Sequence, residues 1–488
     1  VISTAQNPQR LVLRNTLIAA AGSVIATPLS MVVTGLIGHF LGAADFGNIY
    51  LAGVIASFGF LLVDFGQPQV VIARIARDRS LAGPLLGTTL AWRFGAAIAL
   101  YGVTAGVCLF LYPQDFQIAL ALVSLQQLLL VLTAACQEAI KGFERTDIGA
   151  YGQIALPFLN LLVIGPTLFF GGGIAEVLLA QAGASAVLLV FVVRVLPSVG
   201  IGRLSVRLDT LKLLLREGRP FLFFSFAMML QPNIDAVLLS QLATEEVVGW
   251  HAAARRLIGQ LVQPAALLVG TLYPTLARLH AEDQTAFRNT VRSSLRGTVV
   301  LAVPIALCCA LYREVGIMIF GQKSFGPAEA NLVVLAPFLF LMYFSMPLGC
   351  SIMAAGKQKT WAVLQFACVV ISSVLDPLLI PLFQARMGNG GLGVCVASVV
   401  SELVMVVAGL RMAVPGIFDR SVVIGLLRAL AAGAVMAVVG YLLSDFSPFL
   451  AAPIVLAVYV AALWAVGGLN KDQLGILREA LARRRRRA

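Results

Sequence analysis

Arginines and carboxylates set inside long apolar runs are the residues of this sequence best placed to do chemistry. Arg255 and Arg256 stand side by side near the start of one run, HAAARRLIGQLVQPAALLVG. A guanidinium can hold a phosphate through two parallel hydrogen bonds. Adjacent helical residues point about 100° apart, so the two cannot serve one spot equally. One lines an interior while the other runs its stem along apolar surface to the headgroups. The competing reading makes both of them interfacial anchors or members of an internal ion pair. Asp235 is the natural partner. It follows Gln231, Pro232 and Asn233 in the preceding run, a polar cluster at a helix irregularity. It either neutralises an arginine in one state and releases it in another, forms a static salt bridge, or holds a coupling ion. Gln260 and Gln263 extend a polar wall beyond the arginines, and Asp376, just before Pro377, is another charge inside an apolar run.

The first part of the chain carries its own set. Arg14 and Asn15 open the first apolar run, and Asp64, Gln67 and Gln69 form the polar end of the second, in VDFGQPQVV. Gly66 and Pro68 should bend or end that helix. Arg93 enters the next run on the same side and is a partner for Asp64. In CQEAIKGFERTD, Gln137, Glu138, Lys141, Glu144 and Arg145 have the spacing of i,i+4 pairs, which reads as a solvated ionic surface. Intramembrane charges are costly and normally face a bundle interior, so together these residues describe a scattered polar lining. They form no compact catalytic constellation.

Enzymatic chemistry finds no foothold. There is no H-E-x-x-H, P-loop or G-x-S-x-G, and the histidines His39, His251 and His280 are far apart. The seven cysteines lie in or at the ends of apolar runs without ligand spacing and read as small apolar fillers. No cofactor or metal is expected. Without a P-loop, energy would come from an ion gradient, Na+ or H+, or from the gradient of the substrate itself.

The elements that must position these groups are membrane helices. Of 488 residues 59% are apolar and 12% charged, and mean hydropathy is +0.93. Soluble domains carry about a quarter charged residues. A crossing needs roughly 20 apolar residues, and about fourteen such runs fill the chain, the first near 12–39, too long for a signal-peptide core. The net charge of +12 would suit nucleic acid, but the basic residues sit in loops between the runs. With the N-terminus inside, only Arg313, Lys323 and Arg386 of the 35 Lys and Arg residues fall in outer loops. Both termini are therefore expected to be cytoplasmic.

An offset of about 200 residues relates Arg14 in VLRN to Arg216 in LLRE, and Ala76–Arg77 to Ala277–Arg278. This predicts two parallel six-helix bundles, residues 1–195 and 219–412, with two further helices and a basic cytoplasmic tail in 413–488. Between the bundles, 196–218 has helical apolar spacing and several basic residues, and reads as an amphipathic helix on the inner leaflet. The terminal ALARRRRRA suits anionic headgroups.

The tract Leu41-Gly42-Ala43-Ala44-Asp45-Phe46-Gly47 with Tyr50, then Asp64-Phe65-Gly66 before Arg74 and Arg77, resembles the start of bacterial polysaccharide-biosynthesis membrane proteins. These are the O-antigen and exopolysaccharide flippases of the multidrug/oligosaccharidyl-lipid/polysaccharide exporter superfamily. The segment Leu272 to Arg278, LYPTLAR, is similar to the customary end of their eighth helix. The resemblance implies a MATE-like fold in the bacterial inner membrane, moving an undecaprenyl-diphosphate-linked oligosaccharide from the cytoplasmic to the periplasmic leaflet. It implies lipid-linked oligosaccharide and membrane lipids as binding partners, with glycan polymerase and glycosyltransferases as associates, and no nucleic acid. Tentative substrate contacts are Arg14, Asn15, Asp64, Arg93, Gln231, Asn233, Asp235, Arg255, Arg256, Gln260, Gln263 and Asp376. Rival readings are a drug or cation antiporter of the same superfamily and a peptidoglycan lipid-precursor flippase.

Overall fold

A computed structural model describes residues 8–111, 113–143 and 145–468. Among these residues the regular elements are helices, and no strand occurs. In chain order they are α1 (Pro8–Asp64), α2 (Gln67–Arg77), α3 (Ala82–Leu111), α4 (Gln114–Gly142), α5 (Thr146–Phe169), α6 (Ile174–Val199), α7 (Leu208–Leu242) and α8 (Glu245–Glu282). They continue with α9 (Gln284–Leu311), the short α10 (Arg313–Met318) and α11 (Gln322–Phe325), α12 (Ala328–Ala354), α13 (Gln358–Met387), α14 (Gly391–Met412), α15 (Arg420–Leu442) and α16 (Pro448–Ala465). The basic tail from Lys471 to Arg487 lies outside the described residues.

The protein is an all-α, multi-pass membrane protein. Eleven helical stretches among the described residues are long and apolar enough to cross a bilayer. The sequence alone suggests about fourteen, and the difference has three sources. The stretch Ile25–Arg77 is continuous over 53 residues and holds two of the expected runs. At about 1.5 Å per residue it is roughly 80 Å long, against a hydrocarbon core of about 30 Å. It is not straight: α1 leaves helical geometry at Gly42 (φ 85°, ψ 179°), and Phe65 (φ 49°) and Gly66 (φ 66°) separate it from α2. The long helices α3 and α7 are not among the eleven.

Two compact units emerge. One runs to Ala253 and adds Ile319–Gly326 and Asp376–Gly391; the other holds Ala254–Met318, Pro327–Leu375 and the chain from Leu392. In the first, Val71, Ile75, Leu86, Ile140, Val192 and Leu214 bring α2, α3, α4, α6 and α7 onto one apolar core. In the second, α9, α12, α13, α14, α15 and α16 share a core around Leu295, Leu348, Trp361, Met405, Met436 and Val455. Buried tyrosines there reach across to backbone carbonyls: Tyr459 donates to Val300 O (2.9 Å) and Tyr343 to Leu261 O (2.7 Å). Such bonds satisfy a hydroxyl where no water is at hand. Asp283 caps α9 by accepting from the backbone N–H groups of Thr285 and Ala286 (2.8 and 2.9 Å).

The connector between α6 and α7 differs from the amphipathic helix expected over 196–218. Residues 201–207 have no regular structure, and helix begins only at Leu208, continuing unbroken to Leu242. The reason is a contact the sequence pattern does not display. The segment lies along α3 at Gly83 and Gly87. A side-chain carbon on Gly83 would collide with the Arg203 carbonyl oxygen, and one on Gly87 would stand 2.7 Å from that of Ser205. The Thr88 hydroxyl then accepts from the Arg207 backbone N–H (3.1 Å), next to the start of α7. Backbone docking on a glycine row takes the place of helical pairing for these residues.

Candidate functional site

Charged groups converge at one place in each unit. In the first, the irregularity between α1 and α2 sets the geometry. The backbone at Gly66 passes so close to Gly218 of α7 that a Cβ on either would strike the other strand of backbone. Gly66 also needs its positive φ to turn the chain from α1 into α2. This turn leaves Asp64 at the end of α1, facing Arg93 of α3. Arg93 is 0% exposed. Its Nη2 lies 2.7 Å from Asp64 Oδ1, and 2.9 and 3.1 Å from the two carboxylate oxygens of Glu138 on α4. Its Nη1 donates to Val131 O (2.9 Å). A fully buried guanidinium is thus shared by two carboxylates.

Glu138 corrects the reading of 137–145 as a solvated ionic surface. It follows the buried Ala135 by three residues and precedes the buried Gly142 by four, so it lies on the inward stripe of α4. Lys141, by contrast, is exposed. Gln67 is 0% exposed, with neither amide atom hydrogen-bonded, while Gln69 is exposed. Nearby, Arg74 of α2 and Glu217 of α7 form a half-exposed bidentate pair. An open apolar groove of about 720 Å3 runs alongside, its wall including Val63 and Trp92, the neighbours in sequence of Asp64 and Arg93.

In the second unit, α8, α12 and α14 converge. Arg255 is half-buried, with its guanidinium carbon 5.5 Å from the centre of the Phe338 ring, a cation–π arrangement. Arg256, one residue on, is exposed. The adjacent arginines therefore divide as helical geometry requires. Glu402 of α14 is a carboxylate only 4% exposed, and the Ser345 hydroxyl of α12 donates to its Oε1. Glu402 is the residue that sequence reading missed. The signal was available: a lone carboxylate in the apolar run VVSELVMVV, the same type of signal that singles out Asp376.

The other sequence candidates lie on several helices. Asp235 is buried in α7 and Asp376 in α13, while Asn233 bonds within its own helix to Met229 O (2.8 Å). Gln260 is half-buried and Gln263 exposed on α8. The side chains of Arg14, Asn15 and Gln231 lie outside the described residues. Asp64 and Arg93 are brought together; Glu402, which bonds to Ser345, was not a candidate. No group of three or more His, Cys, Asp or Glu able to hold a metal occurs among the described residues.

Residues 12–280, more than half of the chain, match the family model described as polysaccharide biosynthesis protein. The chain belongs to the polysaccharide biosynthesis protein family. This member of the family has the fold of the MOP superfamily of membrane transporters. It is similar to the lipid II flippase MurJ in an inward closed conformation, at 12% identity over 92% of this chain and 98% of that one, with a TM-score of 0.73. It is also similar to an inward-facing multidrug resistance MATE family transporter of the MOP superfamily, at 15% identity over 81% and 98% of the two chains, TM-score 0.61. An outward-facing multidrug resistance MATE family transporter of the same superfamily gives 16% identity, 84% and 96% coverage, and a TM-score of 0.57. At these identities the likeness establishes the fold. No curated protein matches this polysaccharide biosynthesis protein in sequence.

Proposed function

We propose that this protein moves a polyprenyl-diphosphate-linked oligosaccharide from the cytoplasmic to the periplasmic leaflet of the bacterial inner membrane by alternating access, for cell-surface polysaccharide synthesis. The observation that carries this reading is the family match across residues 12–280. The half-buried Arg255 supports it, since a guanidinium on a membrane helix suits a diphosphate. On this reading α1 supplies two crossings, bent at Gly42, and α3 and α7 each supply one, giving fourteen with both termini cytoplasmic. On the same reading the chain holds two parallel six-helix halves, and the last helix pair stands outside the repeat. Glycosyltransferases and a glycan polymerase act before and after the transport step. The fold likeness to the lipid II flippase favours one second reading, a peptidoglycan lipid precursor as cargo.

Deleting the gene and assigning undecaprenyl-linked glycans to each leaflet tests the proposal. A defined surface-polysaccharide repeat should accumulate on the cytoplasmic leaflet. Accumulation of the peptidoglycan precursor selects the second reading. Unchanged glycan export with altered drug tolerance sinks both and points to an antiporter.

A further inference from the structure

The apolar groove of the first unit takes no part in the charged site, and its lining points to what fills it. It begins where the α6–α7 connector meets α3. Thr88, which accepts from the Arg207 backbone N–H, lines this end together with Val206 and Leu211. From Thr88 the α3 wall continues through Gly95 to Val103, a rise of about 22 Å. That is enough to follow a lipid chain through one leaflet, about 15 Å of hydrocarbon. A side-chain carbon on Gly95 would meet nothing within 4 Å, so the glycine leaves the groove open. Leu62, Val103 and Val206 of the lining are each more than half exposed. Contiguous apolar surface of this kind marks a place where an apolar partner lies.

Charge gathers at one end. Arg203, Arg207, Lys212 and Arg216 are all exposed along the connector and the first turns of α7, with Asp209 the one acid between them. Arg207 and Lys212 each follow a lining residue, Val206 and Leu211, and so stand at the connector end of the groove. A phosphate there meets a guanidinium and an ammonium, and a chain attached to that phosphate has an apolar path along α3. With both termini cytoplasmic, this end lies at the inner leaflet. We propose that the groove holds one acyl chain of an anionic inner-leaflet phospholipid, its phosphate held by Arg207 and Lys212. The bound lipid joins α1, α3 and the connector, and it does so whatever cargo the protein carries.

The test places the full-length protein in phosphatidylcholine vesicles with a trace of phosphatidylglycerol bearing a diazirine near the end of one acyl chain. After illumination, labelled residues are mapped by mass spectrometry. Label is expected on α3 between Gly95 and Val103 and on Leu62 of α1, and unlabelled phosphatidylglycerol should displace it. In Arg207→Gln/Lys212→Gln the apparent affinity for the probe should fall roughly fivefold for each charge lost. Gly95→Leu fills the groove with a better helix former and should abolish the label. Gly102→Leu, equally free of neighbours on α3 but outside the lining, should leave it. The basic tail at Arg483 to Arg487 also attracts anionic lipid, but it cannot direct a chain onto α3, so the mapped positions separate the two effects. A phosphatidylcholine probe that labels the same residues as strongly shows ordinary boundary lipid and overturns the proposal. Label that survives Gly95→Leu does the same. Displacement by undecaprenyl phosphate and not by phosphatidylglycerol also overturns it, and gives the groove to the tail of the cargo. Should Gly95→Leu not fold, Ala99→Phe blocks the same groove and is held to the same result. The leaflet assay decides transport separately.

Discussion

At the scale of single residues, the fully buried Arg93 is the strongest constraint in the first unit. Removing its charge while Asp64 and Glu138 remain ionised leaves the buried Glu138 and the partly exposed Asp64 without their cation. Arg93→Met should therefore cost about 3–5 kcal/mol of stability. Adding Asp64→Asn and Glu138→Gln to the same protein should restore most of the loss, since buried amides cost far less to desolvate than unpaired carboxylates. Thermal unfolding in detergent across the series checks both, and a triple variant no better than the single one would mean Arg93 acts mainly through its packing. The Asp64–Arg93 meeting was legible in the sequence, because Phe-Gly and a proline mark a helix end beside a carboxylate. Glu138 and Glu402 were not read correctly, for related reasons. A soluble helix shows its inward face by contrast between apolar and polar sides, and a membrane helix lacks that contrast. Glu138 therefore looked like a member of a charged surface, and Glu402 was lost in a run that is apolar all round.

At the scale of elements, positions of the crossing segments were legible from apolar runs, because lipid demands them. What could not be read was any feature set by contact between elements. The α6–α7 connector has helical spacing, yet residues 201–207 have no regular structure where α3 offers Gly83 and Gly87. Composition gives no hint that a glycine in one helix is spaced for a backbone about 120 residues away, as Thr88 is for Arg207. Replacing Gly87 with valine puts a branched side chain where Ser205 now lies. It should displace the segment and cost about 1–3 kcal/mol, the usual penalty of overpacking. The expected sign is faster proteolysis between Gly200 and Leu208 with α3 still inserted. Unchanged cleavage would show that the glycine row is not what holds the connector.

At the scale of the whole molecule, the loop charges make a prediction about sidedness. Single cysteines introduced at Lys323 and Arg386 should react with a membrane-impermeant maleimide added to intact cells with the outer membrane permeabilised. Cysteines at Lys357 and Arg411 should react only after the inner membrane is opened. The reverse pattern, or an alternation that fails after Gly42, would overturn the fourteen-crossing reading. Of the native cysteines, Cys136, Cys309, Cys350, Cys368 and Cys395 are buried, so the series starts from a background in which Cys108 and Cys308 are replaced by alanine.

The docked connector has a practical consequence for anyone who wishes to tag this protein. A long polar stretch between membrane helices is ordinarily the place to insert a fluorescent reporter or to open new termini by circular permutation, since exposed loop tips tolerate such changes. Here that stretch has its backbone committed against α3 and its last residue bonded beside the first turn of the next helix. Cargo spliced there would pull on two helices at once. The short glycine turn at 171–173, where Gly171 lies in open space, is the gentler site for the graft.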